Sequence, residues 1–315
     1  MANQMTMPGS IPMGPQTTPL NAPDGTSQPN MGSTPNPLQK YFRQPKVYIT
    51  LPSKGAFWPA GSIVIPDSQE IPVLAMTAKD ELTFKTPDAL LNGQATVEVI
   101  QSCIPAIKDA WNMPTIDLDT ILVGIRIATY GEKLELQTRV PNTKPVMEKS
   151  FDLDLRKVID KFGSVTYHSI LDHEGMKITI RPQNYREFTR TAIKTFEEQR
   201  IYATVNDTDI SDDEKIVRFN ESFTKLTGIT IDVVTNAIVQ IQVDDQIVVD
   251  REHIVEFMQK ADKQFYTAIV DHVQKEKDQF AMEPIKVEAT EEELKAGAPK
   301  TYTVPVAFDQ SNFFG

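Results

Sequence analysis

The sequence predicts an α+β fold: a small mixed N-terminal domain with a β-hairpin, a mainly helical second domain, and a C-terminal two-stranded piece. Two observations predict this class. Short runs of alternating apolar and polar residues are typical of half-buried strands, and longer segments place apolar residues along one helix face. The 315 residues allow about two domains of ordinary size. We find no internal repeat of the period that solenoids or propellers use.

Composition divides the chain into four predicted segments. These are a Pro/Met-rich arm that is extended or disordered (1–45), a mixed α/β N-terminal domain (46–163), a mainly helical domain (164–280), and a C-terminal hairpin with an aromatic tail (281–315). The first 39 residues hold eight prolines and one charged residue, Asp24, which excludes a regular helix. Two interpretations stay open: a disordered tail, or an arm that orders against a partner through its five methionines.

The N-terminal domain begins with a predicted sheet of three strand-like runs, at 47–51, 63–65 and 71–74. Thr77 and Asp80 have the spacing of a capping box, which opens a short helix. The remaining predicted elements are a second helix start at 86–88, helices at 94–104 and from Asp117 or Asp119 to Gly131, a hairpin of strands 133–140 and 146–153, and a helix at 155–162.

Helix caps and turns also define the second domain. Its predicted elements are strands 165–168 and 176–180, a helix from Asn184 to about Tyr202, a helix that Ser211 and Glu214 open and Gly228 ends, a hairpin of 237–243 and 247–249, and helices 251–260 and 262–277. The C-terminal piece is predicted to contain strands 285–289 and 302–308, with a Glu-rich loop between them.

Charge and cysteine content exclude several classes of function. Lys and Arg number 32 against 43 Asp and Glu, and the net charge of −11 disfavours nucleic acid as the main ligand. A single cysteine, Cys103, excludes an intramolecular disulfide framework and Cys-based metal sites, and suits a reducing cytosol. The first residues lack the features of a signal peptide, and the apolar run 121–127 is too short to cross a membrane. We therefore expect no membrane partner.

No catalytic constellation stands out, so we expect a non-enzymatic protein with no cofactor, metal or small-molecule substrate. Phosphate-binding and dinucleotide-binding glycine motifs are absent, and the four histidines are scattered. Asp117 and Asp119 have the positions of helix-start residues, and 291–293 those of a capped, solvated turn. The alternative is a carboxylate metal-dependent hydrolase, which only the acidic clusters at 207–214 and 244–250 support.

Aromatic residues near both ends of the ordered part are the candidate partner-binding residues. Such side chains must either pack into the protein's own core or dock on a neighbour. The candidates are Tyr41, Phe42, Phe57, Trp58, Phe308, Phe313 and Phe314.

Several segments together resemble the baseplate hub and hub-assembly proteins of T-even-type contractile-tailed bacteriophages. The resemblance covers residues 46–165 and the C-terminal tail, is thin over 184–280, and is absent from the arm. It is carried by LPSKG (51–55), MTAKDE (76–81), TPDALL (86–91), SCIP (102–105), the helix from DLD (117–119) to ATYG (128–131), and FDQSNFF (308–314). Each motif is short, and their order and spacing carry the likeness.

The resemblance implies a non-enzymatic role in building the central hub of the tail baseplate. The expected partners are other baseplate and hub proteins, and the expected locations are the host cytoplasm during assembly and the virion tail. Whether the protein stays as a subunit or leaves as an assembly chaperone is open. Family members look as if they carry paired cysteines at the 134–153 hairpin and near 300–302. This chain has none there, so metal dependence is not carried over.

Overall fold

The computed structural model describes residues 36–86, 93–204, 211–280, 284–304 and 306. Its helices and small antiparallel sheets confirm the α+β class. The chain divides into two units, Met1–Phe42 and Arg43–Gly315. The described part of the first unit contains one short 3₁₀ turn, Gln39–Tyr41. The finer domain boundaries at 163 and 280 stay predictions.

The second unit begins with strands β1 (Pro45–Ile49) and β2 (Ile71–Leu74), which pair antiparallel. Three helices follow: α1 (Ala78–Phe84), α2 (Gln94–Cys103) and α3 (Thr115–Tyr130). The helix α3 is apolar on most of its circumference and packs directly on the small sheet. Its Gly124 provides the space for this contact, since an added Cβ there would lie 2.9 Å from Ile49 Cγ2.

Arg43 ties the first helices together where the second unit begins. Its guanidinium donates hydrogen bonds to Asp80 Oδ2 (3.2 Å) and to the Ser102 carbonyl (2.6 Å) and hydroxyl (2.8 Å). Asp80 also completes the predicted capping box with Thr77, so one carboxylate both caps α1 and binds Arg43. The predicted helix start at 86–88 lies outside the described residues apart from Thr86.

A long antiparallel hairpin comes next, formed by β3 (Lys133–Arg139) and β4 (Glu148–Asp154), and it runs into α4 (Leu155–Ser164). The first hydrophobic cluster contains residues of β1, β2, α2 and α3. It also includes Leu134 of the hairpin and Leu155 and Phe162 of α4. The predicted hairpin and its following helix are therefore confirmed.

A second cluster surrounds a four-stranded antiparallel sheet with strand order β5 (Ile170–His173), β6 (Met176–Ile180), β7 (Ile238–Val243) and β8 (Gln246–Val248). Helices α7 (Arg251–Lys260) and α8 (Lys263–Asp278) supply its other side. Two long helices lie between β6 and β7 in the chain, α5 (Tyr185–Thr204) and α6 (Asp212–Ala237).

The C-terminal piece packs on the β3–β4 hairpin rather than standing apart. Strands β9 (Ile285–Glu288) and β10 (Thr301–Val304) pair antiparallel around the short helix α9 (Glu291–Lys295). Val287 and Tyr302 share a third cluster with Val140 of the hairpin loop. A hydrogen bond from the Lys144 amide to the Ala296 carbonyl (2.9 Å) and an ion pair between Lys149 and Glu293 (2.9 Å) reinforce the contact.

Two predicted strands are wrong. Residues 63–65 form one isolated bridge, Ile63 to Ile107, because the 106–109 loop takes the backbone hydrogen bonds of this segment. Residues 165–168 are likewise not a strand. Glu174 and Gly175 form a two-residue turn with positive φ, which sets His173 opposite Met176 and places β5 at 170–173 instead.

Two predicted boundaries and one predicted loop are also wrong. Helix α3 begins at Thr115, two residues before Asp117. Helix α6 continues through Gly228 to Ala237, since burying Val234 and Ala237 outweighs the cost of about 1 kcal/mol for one helical glycine. The Glu-rich loop is helix α9, and Glu293 is buried in its capping box with Thr290 rather than solvated.

Candidate interaction surface

Tyr41 and Phe42, two of the predicted partner-binding residues, expose their side chains in the described part of the first unit. Their exposed fractions are 73% and 55%. The Lys40 ammonium lies 4.9 Å from the centroid of the Tyr41 ring, a cation–π distance. Their assignment as partner-binding residues stays a prediction, and their exposure is compatible with it.

The half-buried Trp58 is anchored by a hydrogen bond to a buried carboxyl group. Its indole Nε1 donates to Asp117 Oδ2 at 2.8 Å, and the Ser53 amide and hydroxyl donate to the same carboxyl at 2.8 and 2.5 Å. Burial raises the pKa of the Asp117 carboxyl to about 6, against the opposing effect of the hydrogen bonds from Ser53 and Trp58. Asp117 is thus an anchor for the loop 51–58, a role its interpretation as a helix-start residue did not include.

Phe57 lies in the same loop, but its ring packs on a different part of the chain from that of Trp58. Its ring meets that of Tyr167 edge to face, with centroids 5.3 Å apart. Together with Trp58 it lines a surface cavity of about 410 Å³, which Arg181 and Asn184 also border. Phe57 and Trp58 are half-buried and stay candidate partner-binding residues.

The remaining candidates, Phe308, Phe313 and Phe314, lie outside the described residues. Val306, just before them, is buried in the neighbourhood of β10. The predicted strand that ends at Phe308 is therefore confirmed only as far as Val304.

Helices α5 and α6 form an antiparallel pair whose inner sides face each other. Glu198 near the end of α5 forms an ion pair with Lys225 of α6 (3.5 Å). Phe188 near the start of α5 shares a cavity of about 440 Å³ with Val233 near the end of α6. The opposite order of these contacts along the two helices establishes the antiparallel arrangement.

One side of this helix pair is apolar and solvent-exposed. Phe188 and Phe196 of α5 line the same cavity as Val233 of α6, and Val233 shares a helix face with the residues seven and fourteen positions earlier. We call this side the α5–α6 face. Its members are Phe188, Phe196, Ile216, Phe219, Phe223 and Leu226.

Sequence reasoning missed the α5–α6 face, although a signal was present. Apolar residues repeat along α6 with alternating spacings of three and four, from Ile216 to Ala237. The prediction that Gly228 ends the helix cut this repeat in half and hid it. Phe223 is 60% exposed and Phe196 62% exposed, and Phe219 stacks on Phe223 with the ring planes 2° apart.

The acidic clusters do not gather into a metal site within the described part of the chain, where no group of three or more His, Cys, Asp or Glu could hold an ion. Asp207 and Asp209 are outside that part. Asp244 and Asp245 occupy the tight turn between β7 and β8, and Asp250 caps α7. Among the described helices, none combines the length and apolarity that a bilayer span requires.

An α+β body that exposes an apolar helix face of this extent is typical of proteins that act by binding other proteins. A family model described as T4 bacteriophage base plate protein matches residues 58–296. Because this match spans more than half of the chain, the protein belongs to the T4 bacteriophage base plate protein family. It is thus a phage baseplate protein, which implies interaction with other baseplate proteins. No curated protein and no solved structure matches the chain significantly.

Proposed function

We propose that this baseplate protein is a non-enzymatic component of the central hub, which binds other hub proteins during assembly in the host cytoplasm and remains in the mature tail. The observation that carries the proposal is the adjacent pair Tyr41 and Phe42, whose rings are largely exposed. Docking two neighbouring exposed aromatic side chains on a partner contributes favourable binding free energy, because burying each ring removes a large apolar area from water.

The nearly uncharged sequence before this pair supports the same proposal. Residues 1–39 carry one charge, Asp24, whereas the whole chain has a net charge of −11. An arm with so little charge can approach another acidic protein with little long-range repulsion, and a chain segment that orders on binding covers a large surface at modest affinity. A transient chaperone, the other form of this role, would use a smaller and more polar contact.

We predict that deleting residues 1–39, or changing Tyr41 and Phe42 to Ser, weakens association with baseplate hub intermediates while the rest of the protein stays folded. The matched control is Tyr48→Ser, because Tyr48 is an aromatic residue on β1 with 55% of its side chain exposed. Co-purification from cells producing the baseplate proteins measures association, and circular dichroism checks the fold.

Full co-purification of both arm variants would contradict the proposal, as would an equal loss in the Tyr48→Ser control. The non-enzymatic part is open to a separate contradiction. A saturable rise in melting temperature on adding Mg²⁺, Mn²⁺ or Ca²⁺ would favour a carboxylate metal site instead.

A further inference from the structure

The repeat along α6 identifies the kind of structure that fits the α5–α6 face. Positions 216, 219, 223, 226, 230, 233 and 237 alternate spacings of three and four over three heptads, and all except Thr230 are apolar. This is the spacing by which one helix packs its side chains between those of another helix. Ala237 is buried and Val233 is half-buried, whereas Ile216 and Phe223 remain exposed. The exposed half of the repeat therefore fits an external helix.

The area of the α5–α6 face matches that of a specific interface. Phe188, Phe196, Phe219 and Phe223 are between 39% and 62% exposed, and Ile216 is 59% exposed. An aromatic side chain has an area of about 150–250 Å². The exposed parts of these four rings and of Ile216 therefore add up to about 500 Å² of apolar surface. A standard interface buries about 800 Å² per partner, of which roughly 60% is apolar. The face thus supplies the apolar part of one such interface.

The charge pattern favours a second copy of the chain as the occupant. The members of the α5–α6 face are all uncharged, although the protein has a net charge of −11. Two ion pairs lie within the helices beside the face, Glu198 with Lys225 and Glu214 with Arg218. In a two-fold symmetric dimer each patch meets its own copy, so a charged patch would repel itself and an uncharged one does not.

We infer that two copies of the protein associate through their α5–α6 faces, so that the two α6 helices pack on each other within a four-helix bundle. The second copy supplies two helices with the same apolar spacing, which is the composition of such a bundle. The exposed rings of Phe196 and Phe223 are then buried between the copies. This inference goes beyond the hub proposal and does not depend on it.

Sedimentation velocity of the full-length chain over about 1 to 100 μM, a range that brackets micromolar dissociation constants, tests the inference. We expect a concentration-dependent dimer for the unaltered protein. Phe223→Glu places a charge in the centre of the face and should weaken dimerisation at least tenfold. The matched control is Val217→Glu, because Val217 is 55% exposed on the opposite side of the same helix. This control should dimerise like the unaltered protein.

Phe196→Glu provides a second test on α5, because its ring is 62% exposed and its replacement leaves the packed side of the helix intact. It should also yield monomers with unchanged helix content by circular dichroism. An unaltered chain that stays monomeric at all concentrations would overturn the inference. So would a dimer that survives both folded variants, or capture of another baseplate protein's helix by a monomeric chain.

Discussion

At the scale of single residues, Asp117 is fully buried and its carboxyl accepts three hydrogen bonds. Burial raises its pKa to about 6, above the ordinary value of 3.8. A carboxyl whose pKa is higher in the folded state binds its proton more tightly there. Its contribution to stability is therefore complete below pH 4 and is lost as the pH rises through 6. The hydrogen bonds from Ser53 and Trp58 limit this loss but do not remove it.

We predict that this single group lowers the free energy of unfolding by about 2 kcal/mol between pH 4 and pH 7, since one pKa unit corresponds to about 1.4 kcal/mol and part of the shift acts below pH 4. Asp117→Asn cannot titrate and should lack this component. Urea unfolding of both proteins at several pH values measures the difference. Equal pH dependence in the two proteins would show that Asp117 does not titrate in this range.

The role of Asp117 could not be predicted from the sequence, for a physical reason. Its partners Ser53 and Trp58 are 64 and 59 residues away along the chain, so no local pattern joins them. An Asp near a helix start has an ordinary local explanation, and the sequence alone favours that explanation. Phe57 and Trp58 stood out as aromatic residues, but the cavity they share with Arg181 depends on tertiary packing.

At the scale of elements, two helical glycines have opposite surroundings. A Cβ on Gly124 of α3 would lie 2.9 Å from Ile49 Cγ2, which is fully buried in β1. A Cβ on Gly228 of α6 would meet no atom within 4 Å. Gly124 allows α3 to pack closely on the sheet, whereas Gly228 has no such packing role in the described structure.

We predict that Gly124→Ala lowers the free energy of unfolding by about 1–3 kcal/mol, because the buried side chains cannot move aside freely. Gly228→Ala should raise it by up to about 1 kcal/mol, because alanine favours the helix. Urea unfolding at pH 7 measures both. A Gly124→Ala variant at least as stable as the unaltered protein would contradict the inferred packing of α3 on β1.

Local signals predicted most elements correctly where a cap or a turn is contained within a few residues. The Thr77–Asp80 capping box, the β3–β4 hairpin and helices α7 and α8 are of this kind. The failures at 63–65 and 165–168 involve backbone groups whose partners are distant in the chain. Residues 63–65 bind the 106–109 loop, and the His168 amide donates to Glu276 at 2.7 Å.

At the scale of the whole molecule, the described chain has three hydrophobic clusters, and the third joins distant segments. It unites the 140–147 loop with β9 and β10. Glu293 both caps α9 and pairs with Lys149, and this pairing lowers the pKa of the Glu293 carboxyl. These are the two regions where the family resemblance raised the expectation of cysteines. In this chain an ion pair, a backbone hydrogen bond and apolar packing connect them.

The proposed hub role requires that this member of the baseplate family stays in the finished tail. Quantitative mass spectrometry of purified mature particles, beside baseplate intermediates from infected cells, is the decisive test. We predict a fixed integral number of copies in each mature particle, and an even number if the α5–α6 dimer persists there. Presence in intermediates alone would identify a transient chaperone, and absence from both would contradict a role in the baseplate.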